Sequence, residues 1–139
     1  MPQLGPWPVK DATTMTLAAT PVSIGVARTQ VAELCHRGGL ESLADTAALL
    51  VSELVTNSVM HGSGDITLSV HCDGPQVLVG VTDESTEPPV INPKPSIDQL
   101  GGRGLFLVDT LASSWSYQMA AHGKTVWFCL EDKKASAER

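Results

Sequence analysis

The stretch Glu53-Leu-Val-Thr-Asn-Ser-Val-Met-His-Gly62 puts polar groups at four-residue intervals inside an otherwise apolar run. In a helix, residues four apart share a face and lie about 6 Å apart along the axis. Glu53, Asn57 and His61 then form one polar line, with Leu50, Leu54, Val55 and Val59 on neighbouring faces. Such a helix packs on a core while showing a carboxylate, an amide and an imidazole along one edge. An amide oxygen is a neutral ligand for a hard cation, and a carboxylate one turn away can orient or deprotonate a nucleophile. The same pattern also suits a solvated helix edge with Asn57 close to a helix end.

Around this helix the chain divides into short elements. Residues 1–12, with three prolines by position 8, form a loose lead-in. Thr13 to Ala18 suits a short edge strand. Thr20 as cap and Pro21 at the first helical position open a first helix, with Val22, Val26, Val31 and Leu34 as its apolar set and Gly38-Gly39 as its stop. Ser42 with Asp45 approximates a capping box for the second helix, which Gly62-Ser63-Gly64 ends.

Alternating apolar residues over Asp65 to Cys72 and Gln76 to Thr82, with Asp73-Gly74 between them, read as a hairpin. From Asp83 to Gly102 four prolines exclude regular structure, and some 20 residues without it mark a lid. Gly101-Gly102-Arg103-Gly104 then opens a helix from Leu105 to Leu111. A glycine-rich turn entering a helix is a ready anion site, because free N–H groups and the helix dipole point the same way. Trp115 to Met119 and Lys124 to Leu130 close residues 13–130 as two strands, and residues 131–139 form a charged tail.

At 139 residues this is the size of one domain. Nine Lys and Arg against fifteen Asp and Glu argue against direct nucleic-acid contact. No uninterrupted apolar run reaches the roughly 18 residues of a membrane span. The N-terminus lacks a secretory pattern. Cys35, Cys72 and Cys129 are odd in number and widely spaced, which suits reduced thiols in a cytoplasmic protein. Gly123-Lys124-Thr125 is not a P-loop, since Gln118 stands where the motif needs glycine and a strand follows where it needs a helix. Gly101 to Gly104 follows a proline-rich loop and not a first strand, which excludes a dinucleotide fingerprint.

Taken together, Glu53-Leu-Val-Thr-Asn57 through His61-Gly62, Val81-Thr82-Asp83, Gly101-Gly-Arg-Gly-Leu105 and Gly123-Lys-Thr125 resemble, in order and spacing, the blocks of the Bergerat ATP-binding fold of gyrase and histidine kinases. Within that superfamily the chain is most similar to the stand-alone anti-sigma factor serine/threonine kinases. The resemblance implies an α/β (α+β) two-layer sandwich: a mixed, mainly antiparallel five-stranded sheet with three helices on one face. It implies ATP and Mg²⁺ as cofactors, with Asn57 on the metal and Glu53 as general base. Asp83 would accept from the adenine amino group, with Thr125 near it. His61, Gly101, Gly102, Gly104 and Leu105 would border the phosphates, with Arg103 at the γ-phosphate or substrate.

The activity implied is phosphorylation of a serine on an anti-anti-sigma (STAS-type) protein by a factor that sequesters a sigma factor, with a homodimer as a further expectation. The alternative is a regulatory protein of the same fold that acts only by partner binding. One departure bears on the choice. The family's Asp-x-Gly-x-Gly reads Asp83-Glu84-Ser85-Thr86-Glu87 here, without glycine and with two added carboxylates.

Overall fold

The computed structural model describes residues 11–61, 64–89 and 102–134, with side chains from Leu105 onward in the last stretch. The lead-in to residue 10, Gly62, Ser63, residues 90–101 including Gly101, the Arg103 side chain and the tail beyond residue 134 lie outside the described residues. Five strands and three helices follow in the order β1 (Thr13–Leu17), α1 (Val22–Arg37), α2 (Glu41–His61), β2 (Ile66–Asp73), β3 (Gln76–Asp83), α3 (Gly102–Leu111), β4 (Ser114–Ala120) and β5 (Gly123–Glu131).

The sheet order is β1-β2-β3-β5-β4, and every neighbouring pair is antiparallel. The expected mixed sheet is thus antiparallel throughout, for a topological reason. Two helices stand between β1 and β2, so the chain reverses an odd number of times and returns antiparallel. β4 does run in the direction of β3 after the single helix α3, but β5 inserts between them and is antiparallel to both. The β2–β3 turn uses Gly74 and Pro75, with Gly74 at φ 60°. Positive φ at the first central position, followed by a proline that cannot adopt it, is the geometry of a II′ hairpin.

One alternation of each strand faces the helices. Ile66, Leu68 and Val70 of β2, Val77, Val79 and Val81 of β3, and Val126, Phe128 and Leu130 of β5 join Leu50, Val51, Leu54 and Val55 of α2 in one core. The registers Leu68 to Val81, Val79 to Phe128 and Val81 to Val126 align these side chains across the strands. By length and composition alone α2 could cross a membrane; here its apolar stripe is the centre of the core.

α1 is rotated from the expected phase. Its buried line is Ser23, Ala27, Val31 and Cys35, while Val22 is 76% exposed. Small side chains at three of those four positions let α1 lie close to α2, and Ser23 Oγ donates to the Ala18 carbonyl at 2.6 Å. Thr20 does not cap α1 through its side chain; Pro21 occupies the cap position. Nor does Ser42 close a capping box, because its hydroxyl donates to Asp132 Oδ2 at 2.7 Å and ties the start of α2 to the end of β5. The three cysteines are free thiols. Burial, and secondarily the neighbouring Cys72, pushes the Cys35 thiol up to about 11.

Two glycines give opposite expectations. Gly25 is exposed within α1 and an added Cβ would meet nothing, so Gly25→Ala should stabilise the fold by about 1 kcal/mol through helix propensity. At Gly123 an added Cβ would collide with the Asp83 backbone carbonyl. Gly123→Ala should therefore cost about 1–3 kcal/mol, the usual range for an overpacked site. Urea unfolding of both variants should shift the midpoints in opposite directions.

Candidate functional site

Where β3 ends and β5 begins beneath α2, the side chains leave a cavity of about 240 Å³. Leu54, Val81, Leu105 and Val126 form its apolar wall, Asn57, Ser58, His61, Asp83 and Lys124 supply polar groups, and Ser85 with Glu87 to Pro89 closes one side. The alternation that builds the core also builds this site. On β3 the inward series Val77, Val79, Val81 continues to Asp83, and on β5 the series Leu130, Phe128, Val126 continues to Lys124.

Asp83 is 5% exposed, and a buried carboxylate is tolerated only when it is paired and hydrogen-bonded. Ser58 Oγ donates to Oδ2 at 2.6 Å, the Ser85 backbone N–H donates to Oδ1 at 3.0 Å, and the Lys124 ammonium lies 3.4 Å from Oδ1. The contact from Ser85 is an Asx turn. A second local closure follows, in which the Glu87 N–H donates to Ser85 Oγ at 3.2 Å. Glycine is therefore not required for this turn, and no non-glycine residue described has positive φ. Of the two extra carboxylates after Asp83, Glu84 is drawn away: its Oε2 accepts the Asp65 N–H at 3.0 Å. Glu87 alone of the pair lines the cavity.

The expected site residues divide into two groups. Asn57, His61, Asp83 and Leu105 come together around the cavity. α3 begins at Gly102, a turn earlier than its apolar pattern suggested, so Gly102, Arg103 and Gly104 belong to its first turn. Thr125 is the cross-strand partner of Thr82, one position from Asp83, and does not line this cavity. It points to the opposite face of the sheet, where its hydroxyl shares a 2.7 Å hydrogen bond with Thr82, because odd and even positions of β5 face opposite ways. There it lines an open groove with Thr67, Thr82 and Gln118, which Asp83 and Lys124 also line. Glu53 is 9% exposed and is not among the cavity-lining residues.

Ser58 and Lys124 were missed in the sequence, although each carried a signal. Ser58 continues the core stripe Leu50, Leu54 at the next four-residue step, and a polar residue on a core stripe needs a partner. Lys124 shares the alternation of Val126 and Phe128. No cluster of three or more His, Cys, Asp or Glu that could cage a metal occurs among the described residues. An apolar slot with a buried acceptor at its base and an amide at its side suits a flat heteroaromatic ring carrying a donor, with a polyanion and its cation beyond.

The model of the histidine kinase-like ATPase domain family matches residues 17–130. No curated protein matches the chain. Among solved structures, the RsbU and RsbW domains of Rv1364c from Mycobacterium tuberculosis are similar at a TM-score of 0.61 and 20% identity, over 88% of this chain and 32% of that one. The histidine kinase domain of the blue-light activated histidine kinase from Erythrobacter litoralis EL346 is similar at a TM-score of 0.51 and 20% identity, over 82% of this chain and 63% of that one. This chain thus spans about a third of the first structure and under two thirds of the second. At these identities the likeness establishes the fold.

The contact between Ser58 and Asp83 can be tested by removing one hydroxyl. Ser58→Ala leaves a buried carboxylate oxygen without its donor, and should lower stability by about 1–3 kcal/mol. Chemical denaturation at neutral pH reads the loss; an unchanged midpoint would mean the hydrogen bond contributes nothing.

Proposed function

The chain belongs to the histidine kinase-like ATPase domain family, and on that premise we propose that it is an anti-sigma factor which binds ATP·Mg²⁺, sequesters a sigma factor and phosphorylates a serine on an anti-anti-sigma protein. The observation that carries this reading is that the Asp83 carboxylate and the Asn57 amide line one apolar-walled cavity. The bound nucleotide and its cation supply the transferable phosphoryl group and the charge compensation for its movement. Asp83 accepts a hydrogen bond from the adenine amino group, while Leu54, Val81, Leu105 and Val126 cover the ring. Asn57 would offer a neutral oxygen to Mg²⁺, a hard cation that would offset the charge of the phosphates. The unpaired N–H groups of the first turn of α3 would donate to the phosphates, and Arg103 would steady the transferring charge. Glu53 takes the proton of the serine hydroxyl.

A second reading has an observation of its own. Glu53 is largely buried and does not line the cavity, which favours a regulator that binds nucleotide and partner without transfer. The two readings separate experimentally. Asp83→Asn should weaken ATP binding at least tenfold by calorimetry, the usual effect of losing a charged acceptor in a buried site. Asn57→Ala should remove the Mg²⁺ dependence of that binding.

Glu53→Gln should leave ATP affinity intact while transfer from γ-labelled ATP to a STAS-type partner falls at least a hundredfold, near the low end for loss of a general base. Transfer within a few-fold of wild type would remove Glu53 from the chemistry. Tight sigma binding with no transfer by the wild type would select the binding-only regulator.

A further inference from the structure

Lys124 sits at the floor of the cavity, 14% exposed, with its ammonium 3.4 Å from Asp83 Oδ1. Stabilising the aspartate is an incomplete explanation for it. Ser58 and the Ser85 N–H already donate to the two carboxylate oxygens, and 3.4 Å is longer than a charge-assisted N–H to O⁻ hydrogen bond, which runs about 2.7–2.9 Å. Desolvating an ammonium for a long contact is a poor source of stability. An ammonium has three donors, and Lys124 lines this cavity together with the apolar side chains Leu54, Val81, Leu105 and Val126, which offer it no acceptor.

An acceptor and a donor held side by side match the edge of a 6-aminopurine, whose exocyclic amino group donates and whose adjacent ring nitrogen N1 accepts. We propose that Lys124 is a base-reading residue of this site: with Asp83 on the 6-amino group, the Lys124 ammonium donates directly to purine N1, so the pair recognises adenine through two adjacent contacts. The inference rests on nucleotide binding in this cavity, and it adds a specificity residue to that reading. Asp83 alone recognises only the amino group. With Lys124 beside it, the ring nitrogen is read as well, and a base whose neighbouring atom is a C–H sets that C–H against the ammonium and offers it no new acceptor.

The test uses ATP and 1-deaza-ATP, in which N1 is replaced by C–H and the 6-amino group is kept. Calorimetry on the wild-type chain should show 1-deaza-ATP bound at least tenfold more weakly than ATP, the usual consequence of losing a charged hydrogen bond in a buried site. Lys124→Met should bind both nucleotides equally, at about the level of 1-deaza-ATP on wild type. The wild-type comparison needs no folded variant, and circular dichroism of Lys124→Met secures the second arm. Equal binding of the two nucleotides by wild type, or discrimination retained by Lys124→Met, overturns the role of Lys124 while leaving ATP binding in place. Failure of both nucleotides, and of ADP, to bind wild type at millimolar concentration overturns the nucleotide site and this inference together.

Discussion

Burying the Asp83 carboxylate is the constraint around which the site is arranged. At 5% exposure the charge must be met by donors from other elements, and they come from three: Ser58 on α2, Ser85 in the following loop and Lys124 on β5. The contact from Ser58 does more than satisfy an oxygen. Successive helix residues are turned by about 100°, so anchoring Ser58 to the end of β3 sets the rotation of α2 and brings Asn57 to the cavity wall. The same anchor fixes Glu53 one turn earlier, on a buried part of the helix. Gly123 belongs to this arrangement too, since the β4–β5 turn passes against the Asp83 carbonyl closely enough to exclude a side chain.

Much of the architecture was legible because two periodicities were strong. The alternation of β2 and β3 and the Asp73-Gly74 signal gave the hairpin, and the apolar spacing before His61 gave α2. The phase of α1 was not legible. Val22 and Val26 outrank Ser23 and Ala27 in hydrophobicity, yet close approach to α2 selects the small residues for the interface, and periodicity cannot weigh volume against hydrophobicity. Ser42 shows a similar limit: locally it resembles a cap, but its partner is Asp132, ninety residues away.

At the site, a motif read as a string names residues without telling which sheet face each one uses. Thr125 and Lys124 are neighbours in sequence and lie on opposite faces. Strict alternation from Phe128 would have assigned the cavity side to Lys124. Ser58 was hidden because it follows Asn57 directly, and attention to the four-residue polar line of Glu53, Asn57 and His61 passes over the adjacent stripe.

The segment after Asp83 shows how a turn can form without the glycines usual at such a position. The Asp83 side chain closes an Asx turn on Ser85, and the Ser85 hydroxyl closes the next step on Glu87, so side-chain hydrogen bonds do the work that glycine does by freedom of φ. There is a consequence for charge. Asp83 serves its own loop as well as the cavity, and the Lys124 ammonium offsets the acidity that Asp83 and Glu87 bring to the same cavity. Glu84 is removed from it by accepting the N–H of Asp65, the residue just before β2. The local field around Asp83 is therefore closer to neutral than the run of acidic residues suggests. Any repulsion of a polyanion must come chiefly from Glu87, and it would weaken with salt as exposed charges do.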